Sequence, residues 1–250
     1  MGEEEVDIDE EEIRITSPYE QKDVLTSGNI EMDKKMGGGI PAGSLTIIEG
    51  PNDCGKSVVT QQILWGGLQQ GFTITSYTTE NTIKSLLKQM DSLALDISEY
   101  FLLGYLKIFP FSLKGTEGVA EIPYLKYIVD DMERKQDDIV IIDSLTVFVS
   151  RASENDILDF FSSCKNLCDH GKTILITVHD YAFGKEMLTR IRSICDAHLS
   201  IRLEEAGDKL IKIMEVAKIR GAQRSTGNII SFDVEPGFGL RIIPIGRAKA

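Results

Sequence analysis

The sequence predicts an α/β fold in which a central, mostly parallel β-sheet is flanked by helices and carries an antiparallel extension at its C-terminal end. Three observations lead to this prediction. Segments of strand and helix type alternate between about residues 45 and 178, which is typical of a parallel sheet covered on both faces. The first strand leads directly into a glycine-bearing loop, and a helical pattern follows the loop. Beyond Ala197 the pattern changes to two alternating strands joined by a turn, which indicates antiparallel pairing.

Each element rests on a local pattern. Short runs rich in β-branched residues predict strands, and longer stretches with apolar residues three and four positions apart predict helices. The predicted strands are residues 45–49, 72–79, 105–109, 139–142 and 173–178, and the predicted helices are residues 57–69, 82–93, 122–135 and 155–169. The run at 139–142 is typical of a central strand, because all four side chains are Ile or Val. Residues 199–203 and 210–214 are expected to form a hairpin through a turn at residues 206–208.

The net charge of −12 is unevenly distributed along the chain. Residues 1–12 contain eight acidic side chains and no basic one. Such a block repels itself and offers little apolar surface to bury, so we expect residues 1–20 to form a disordered tail and residues 21–250 to form one domain. The acidic balance also argues against nucleic acid as a partner, because phosphate binding depends on clustered Lys and Arg side chains.

The composition also predicts where the protein works. No apolar run reaches the roughly 20 residues that a membrane span needs, and the first residues do not form a signal peptide. We therefore expect a cytoplasmic protein that does not insert into the membrane. Four irregularly spaced cysteines are too few for a disulfide framework and are expected to be reduced thiols.

The loop after the first strand matches the complete phosphate-binding pattern G-x-x-x-x-G-K-[ST]. Its glycines allow the backbone to wrap around phosphate oxygens, Lys56 supplies a positive charge, and the Ser57 hydroxyl is a ligand for Mg²⁺. A chance match in an ordinary turn is the alternative, but the strand before the loop and the helix after it fit the phosphate-binding role. The sequence therefore predicts a site for ATP and Mg²⁺. The predicted nucleotide-binding residues of this loop are Gly50, Asn52, Asp53, Cys54, Gly55, Lys56, Ser57 and Val58.

Two acidic residues that follow neighbouring strands are candidates for the chemistry. Asp143 ends the strand at 139–142 and is predicted to complete the Mg²⁺ site with Ser57, although many strands end in Asp for turn chemistry alone. Glu80 follows the second strand and is the candidate that orients and deprotonates the attacking water, together with Lys56 as the second catalytic residue. The alternative for Glu80 is an N-cap or first-turn acid of the helix that follows.

His179 ends the strand after Asp143, where a polar side chain can detect the terminal phosphate. A histidine held by a local hydrogen bond is an equally reasonable interpretation. The sequence leaves this choice open.

Several segments together resemble the RecA/KaiC superfamily of ATPases, and the likeness extends over residues 22–245. Within the superfamily the chain is most similar to the family of archaellum accessory ATPases. The segments that carry the resemblance are Gly28-Asn29-Ile30-Glu31-Met32-Asp33, Gly37-Gly38-Gly39-Ile40-Pro41, the phosphate-binding loop, Thr79-Glu80, Ile142-Asp143-Ser144 and Lys218-Ile219-Arg220-Gly221.

The resemblance implies a RecA-like P-loop NTPase in a ring or ring-like assembly that forms when nucleotide binds. It implies a regulatory role beneath the archaellum motor, with the motor ATPase, a membrane platform protein and a ring-forming scaffold as partners. It also implies that Lys218 and Arg220 reach the terminal phosphate bound by a neighbouring subunit. A solvated pair of charges on an edge strand is the alternative for these two residues.

This sequence departs from the KaiC pattern at one position. Two adjacent acids follow the second strand in KaiC-like domains, whereas here Asn81 follows Glu80. We therefore expect slow hydrolysis, with ATP occupancy acting as a switch. Two other interpretations are a DNA recombinase, which would need basic loops with aromatic residues, and an independent KaiC-type ATPase or kinase, which would normally have paired domains.

Overall fold

The computed structural model describes residues 23–111, 123–206, 209–222 and 228–243. The strands are β1 (Val24–Leu25), β2 (Ile40–Pro41), β3 (Leu45–Gly50), β4 (Ile74–Thr78), β5 (Leu106–Pro110), β6 (Ile139–Asp143), β7 (Thr173–His179), β8 (Ala197–Ala206), β9 (Lys209–Ile219), β10 (Ile229–Glu235) and β11 (Gly239–Ile243). The helices are α1 (Ile30–Lys35), α2 (Lys56–Gln69), α3 (Ile83–Ser92), α4 (Ser98–Leu102), α5 (Tyr124–Arg134), α6 (Thr146–Val149), α7 (Glu154–Asp169) and α8 (Lys185–Ile194). The predicted tail at residues 1–20 lies outside the described residues.

The large sheet has the strand order β11-β10-β9-β8-β3-β7-β6-β4-β5 within the described residues. Strands β8, β3, β7, β6, β4 and β5 pair in parallel, and β8 to β11 pair antiparallel. Strand β8 therefore belongs to both parts, because it is parallel to β3 and antiparallel to β9. The predicted mostly parallel sheet with an antiparallel extension is confirmed.

The pattern-based strands and helices are found with small shifts at their ends. The antiparallel extension is larger than predicted, because β8 and β9 are longer than the expected hairpin strands and β10 and β11 follow them. The turn expected at residues 206–208 lies partly outside the described residues. The sequence did not predict β1, β2, α1, α4, α6 and α8; of these, β1, β2, α4 and α6 are only two to five residues long.

Neighbouring residues of the buried strands belong to two hydrophobic clusters, one on each face of the sheet. Ile47 packs in a cluster under α5, α7 and α8, whereas Ile48 packs in a cluster under α2 and α3. Successive side chains of a strand point to opposite faces of the sheet, which explains this division. On β6, Ile141 belongs to the α2 side, so Asp143 two residues later also faces α2.

The parallel pairing brings four strand ends to one edge of the sheet. Gly50 at the end of β3 is paired with His179 at the end of β7, and Thr78 at the end of β4 is paired with Asp143 at the end of β6. This carboxyl edge is where open α/β sheets bind their ligands. In the described part of the chain, none of the helices has the length and apolar character needed to cross a membrane.

Candidate nucleotide-binding site

The loop between β3 and α2 requires glycine at both glycine positions of the phosphate-binding pattern, Gly50 and Gly55. A Cβ atom on Gly50 would stand 2.3 Å from the carbonyl oxygen of Ile201 on β8, which is far inside van der Waals contact. Gly55 has a φ of 99° and stands as the N-cap of α2, a backbone region that favours glycine. The loop therefore turns sharply and leads into the N-terminus of α2, whose free N–H groups attract anions.

The predicted loop residues differ in their exposure. Asn52 and Asp53 are exposed, and Asp53 has a φ of 58°. Cys54 is fully buried, and burial raises the pKa of its thiol, while the positive charge of Lys56 opposes this shift. Val58 is half-buried in the first turn of α2. The loop thus exposes backbone and polar atoms while its thiol lies inside.

Lys56 is folded back into the loop. Its Nζ donates hydrogen bonds to the carbonyl oxygens of Gly50 at 3.0 Å and Pro51 at 2.6 Å, and only 6% of the residue is exposed. The ammonium group is therefore held at the centre of the loop by backbone carbonyls. A phosphate bound there would meet a cation that is already in position.

Ser57 and Asp143 are brought together as the sequence predicts. Ser57 Oγ donates a hydrogen bond of 3.3 Å to Asp143 Oδ1, which also accepts a 2.6 Å hydrogen bond from Thr177 on β7. Burial raises the pKa of Asp143, and the hydrogen bond from Thr177 opposes this rise. The negative charge of Glu80 raises the pKa further. A buried carboxylate beside a hydroxyl is a donor pair that suits Mg²⁺, an ion that keeps several waters and takes one or two carboxylates from the protein.

Glu80 lies at the same edge of the sheet but is exposed to solvent. Its backbone N–H donates to Thr78 Oγ1 at 3.3 Å, and its negative charge raises the pKa of Asp143. The helix that follows is capped by Thr82, whose side chain accepts from the backbone N–H of Ser85 in a capping box. Glu80 is therefore not the cap of α3, and its carboxylate is available for another task.

His179 has a local partner. Its backbone N–H donates to Thr146 Oγ1 at 2.9 Å, its Nδ1 lies 3.0 Å from the same oxygen, and its ring stacks on Tyr181. Burial lowers the pKa of His179, and the positive charge of Lys56 lowers it further. The local hydrogen bond agrees with the simpler of the two interpretations, although the influence of Lys56 indicates that the ring is near the loop.

Lys218 and Arg220 do not contact the phosphate-binding loop of the same chain. Lys218 pairs with His198 on β8, and His198 pairs with Ile47 on β3, three residues before Gly50. This places Lys218 about 10 Å along the strand axis from the loop. Its Nζ donates to the carbonyl oxygen of Arg192 at 2.8 Å, and Arg220 donates to the carbonyl oxygen of Ser193 at 3.4 Å. Both cations therefore rest on the C-terminal end of α8.

Sequence reasoning missed two side chains beside the loop. A Cβ atom on Gly55 would stand 3.2 Å from both Lys212 Cδ and a ring carbon of Phe232. These two residues are directly paired across β9 and β10. The sequence carries no motif for them, because their approach to the loop depends on the position of the antiparallel strands in the sheet.

The chain has clear relatives among known proteins. Residues 25–247 match the family described as "ATPase: KaiC". The archaeal flagellar ATP-binding protein FlaH of Sulfolobus acidocaldarius is 34% identical over 233 residues, which cover 91% of this chain and all of that protein. The chain belongs to the FlaH family of KaiC-like ATPases. The FlaH protein of Methanocaldococcus jannaschii is 31% identical, with coverage of 85% of this chain and 91% of that protein.

Solved structures agree with this family and with the fold. The crystal structure of the flagellar accessory protein FlaH from Methanocaldococcus jannaschii superposes with a TM-score of 0.80 at 29% identity, over 89% of this chain and 99% of that one. The KaiC-like protein PH0186 of Pyrococcus horikoshii superposes with a TM-score of 0.70 at 20% identity, over 88% of this chain and 99% of that one. The second likeness concerns the fold alone. The RecA/KaiC-like fold predicted from the sequence is confirmed.

Proposed function

We propose that this FlaH-family protein is an ATP-binding regulatory and assembly component of the archaellum motor complex. ATP with Mg²⁺ occupies the loop between β3 and α2, and the nucleotide state controls association with the motor ATPase and the membrane platform protein. The observation that carries the proposal is the preformed site in which Lys56 lies within the loop and Ser57 meets Asp143. The names of the FlaH relatives supply the connection to the archaeal flagellum.

Each part of the site has an assigned task. Lys56 and the N-terminus of α2 bind the phosphates, and Ser57 and Asp143 hold Mg²⁺. Bound Mg²⁺ neutralises charge on the terminal phosphates. Glu80 orients the attacking water and accepts its proton.

Hydrolysis is slow in this proposal. The residue after Glu80 is Asn81, whose Oδ1 accepts a hydrogen bond of 3.0 Å from Ser85 in the first turn of α3. Asn81 cannot accept a proton as a second carboxylate would, and its amide is engaged with the helix. ATP therefore persists in the site long enough to act as a signal of state.

Lys218 and Arg220 complete the site of a neighbouring subunit. Their distance from the loop of their own subunit agrees with such a role, because both cations contact the C-terminal end of α8 instead of that loop. A cation near the terminal phosphate favours ATP over ADP and links nucleotide binding to self-association. The protein works in the cytoplasm at the inner face of the membrane, where its partners and a ring-forming scaffold hold it, and residues 21–250 act as one ATP-binding domain.

The test is binding to the partners under defined nucleotide. The purified motor ATPase and the cytoplasmic part of the platform protein from the same organism are immobilised, and binding is measured with Mg·ATP, with Mg·ADP and without nucleotide. We expect at least tenfold stronger binding with Mg·ATP, and loss of this difference in Lys56→Ala. The matched control is Lys84→Ala, which changes an exposed lysine on α3. Equal binding in all three conditions would contradict a regulatory role of the nucleotide.

A further inference from the structure

A charged pair connects the strand before the phosphate-binding loop to α8. Glu49 is the residue directly before Gly50, and its side chain is only 5% exposed. Arg192 in the last turn of α8 donates from Nη2 to Glu49 Oε1 and from Nε to Oε2, the latter at 3.2 Å. This two-pronged contact fixes the direction of the guanidinium as well as its distance.

His198 is a third member of this group. Its Nε2 lies 3.0 Å from Glu49 Oε1, although the two atoms do not have hydrogen-bond geometry. Burial raises the pKa of Glu49, but His198 and Arg192 together outweigh burial and hold it below its usual range. His198 is also the cross-strand partner of Lys218. The buried carboxylate is thus charged and is joined to both α8 and the β8–β9 pair.

The backbone of Arg192 has a second contact of a different kind. Its carbonyl oxygen accepts the 2.8 Å hydrogen bond from Lys218. The next residue, Ser193, accepts from Arg220, whose Nη1 also lies 3.8 Å from Asp196 Oδ1. A helix C-terminus is a favourable place for cations, because its last carbonyls lack partners within the helix. Arg192 therefore contacts the loop strand with its side chain and Lys218 with its main chain.

We propose that Arg192 is a positioning residue that couples the nucleotide site of one subunit to the cations which the same subunit presents to its neighbour. This inference rests on the proposed role of Lys218 and Arg220 between subunits. The pair with Glu49 holds the end of α8 at a defined distance from β3, so Lys218 and Arg220 start from a defined place. Without the pair, the end of α8 is less restrained. The cations then lose more conformational entropy when they bind the neighbouring phosphate than they do in the parent protein.

A purely structural ion pair would behave differently. Its loss would lower stability, as removal of one partner from a buried pair generally does, and would affect association only as far as the protein unfolds. A positioning pair changes ATP-dependent association and its cooperativity in protein that remains folded. Measuring both the stability and the ATP-dependent association of each variant therefore separates the two roles.

The experiment compares Arg192→Lys with Arg202→Lys. Both arginine side chains are 39% exposed and both contact carboxylates, but Arg202 pairs with Glu204 and Glu215 and not with Glu49. Lysine keeps the charge and loses the two-pronged contact. We expect Arg192→Lys to weaken self-association with Mg·ATP at least fivefold and to lower the Hill coefficient of ATP binding towards one. ATP affinity of the dilute monomer should stay within about twofold, and Arg202→Lys should behave as the parent. Unchanged association of folded Arg192→Lys would overturn the proposal.

Two further variants keep the test decisive. Glu49→Gln removes the other partner and should reproduce the effect of Arg192→Lys, so a folding defect in one variant leaves the other to be measured. A Glu49→Gln protein that assembles as the parent does would also overturn the coupling.

Lys218→Ala with Arg220→Ala tests the underlying role between subunits. If this double variant loses association while Arg192→Lys and Glu49→Gln keep it, the coupling is wrong and the role of Lys218 and Arg220 between subunits stands. If the double variant keeps association, that role between subunits fails.

Discussion

Ser57 and Asp143 share a hydrogen bond of 3.3 Å although 86 residues separate them in the chain. Ser57 comes from the first turn of α2 and Asp143 from the end of β6. Because β6 and β3 are both parallel to β7, which lies between them, their ends meet at one edge of the sheet. This hydroxyl, which follows Lys56 in the chain, and this carboxylate support the proposed Mg²⁺ site.

Lys56 and Asp143 should have separable effects on nucleotide binding. We expect Lys56→Ala to weaken ATP binding at least tenfold, about 1.4 kcal/mol, whether or not Mg²⁺ is present, because it removes the charge that meets the phosphates. Asp143→Ala should abolish the additional affinity that Mg²⁺ provides. Calorimetric titration with ATP, with and without Mg²⁺, measures both effects. Undiminished affinity of either variant for Mg·ATP would contradict the assignment of that residue.

Glu80 should act on hydrolysis and not on binding. In Glu80→Gln the amide keeps the shape of the side chain but cannot accept a proton. We expect phosphate release to fall at least tenfold while the affinity for Mg·ATP stays within about twofold, which corresponds to about 1.4 and 0.4 kcal/mol. Phosphate release under single turnover and calorimetry check the two parts. Parallel loss of binding would mean that Glu80 has a structural role, and Glu99→Gln, on α4, is the control.

The acidic segment should contribute neither to folding nor to nucleotide binding, because its charges repel one another and it has little apolar surface. Deletion of residues 1–18 is expected to change the melting temperature by less than about 2 °C, which for a domain of this size is less than about 1 kcal/mol. ATP affinity should be unchanged. A large fall in melting temperature would show that the segment is docked on the domain.

Asp137 should make the stability of the sheet dependent on pH. It is buried and accepts hydrogen bonds of 2.6 Å from Thr75 and 2.7 Å from Lys107. Burial raises its pKa, but the hydrogen bonds from Lys107 and Thr75 and the charges of Lys107 and Lys135 outweigh burial and lower it. Because the pKa is lowered in the folded state, the stabilisation is complete above the unfolded pKa of about 3.9 and is lost as the pH falls through the folded value.

We therefore expect Asp137→Asn to lower the free energy of unfolding at pH 7 by about 1–3 kcal/mol, the usual effect of removing a charged hydrogen-bond acceptor. The deficit relative to the parent should shrink as the pH is lowered below about 4. Urea unfolding between pH 7 and pH 3 measures it, with Asp159→Asn on the exposed side of α7 as the control. A deficit that stays constant over this range would contradict the charged state assigned to Asp137.

The sequence predicted those parts of the site that follow from local order along the chain. Gly50 to Ser57 are consecutive, and Asp143 and Glu80 follow the ends of predicted strands, so a parallel sheet was enough to place them at one edge. The pair of Glu49 and Arg192 joins residues 143 positions apart and depends on how α8 packs. Lys212 lies close to Gly55 only because β8 pairs with β3 and β9 pairs with β8, which brings β9 next to the phosphate-binding loop. Such contacts are set by the order of strands in the sheet, which no local pattern contains.

The central claim is that ATP bound at the loop of one subunit is met by Lys218 and Arg220 of the next. The most direct test is the mass of the protein in solution with Mg·ATP, with Mg·ADP and without nucleotide, for the parent and for Lys218→Ala with Arg220→Ala. The account predicts that Mg·ATP promotes self-association of the parent, and that the double variant binds ATP as a monomer but does not associate. If the double variant assembles with ATP as the parent does, or if the parent remains monomeric with ATP, the account is contradicted.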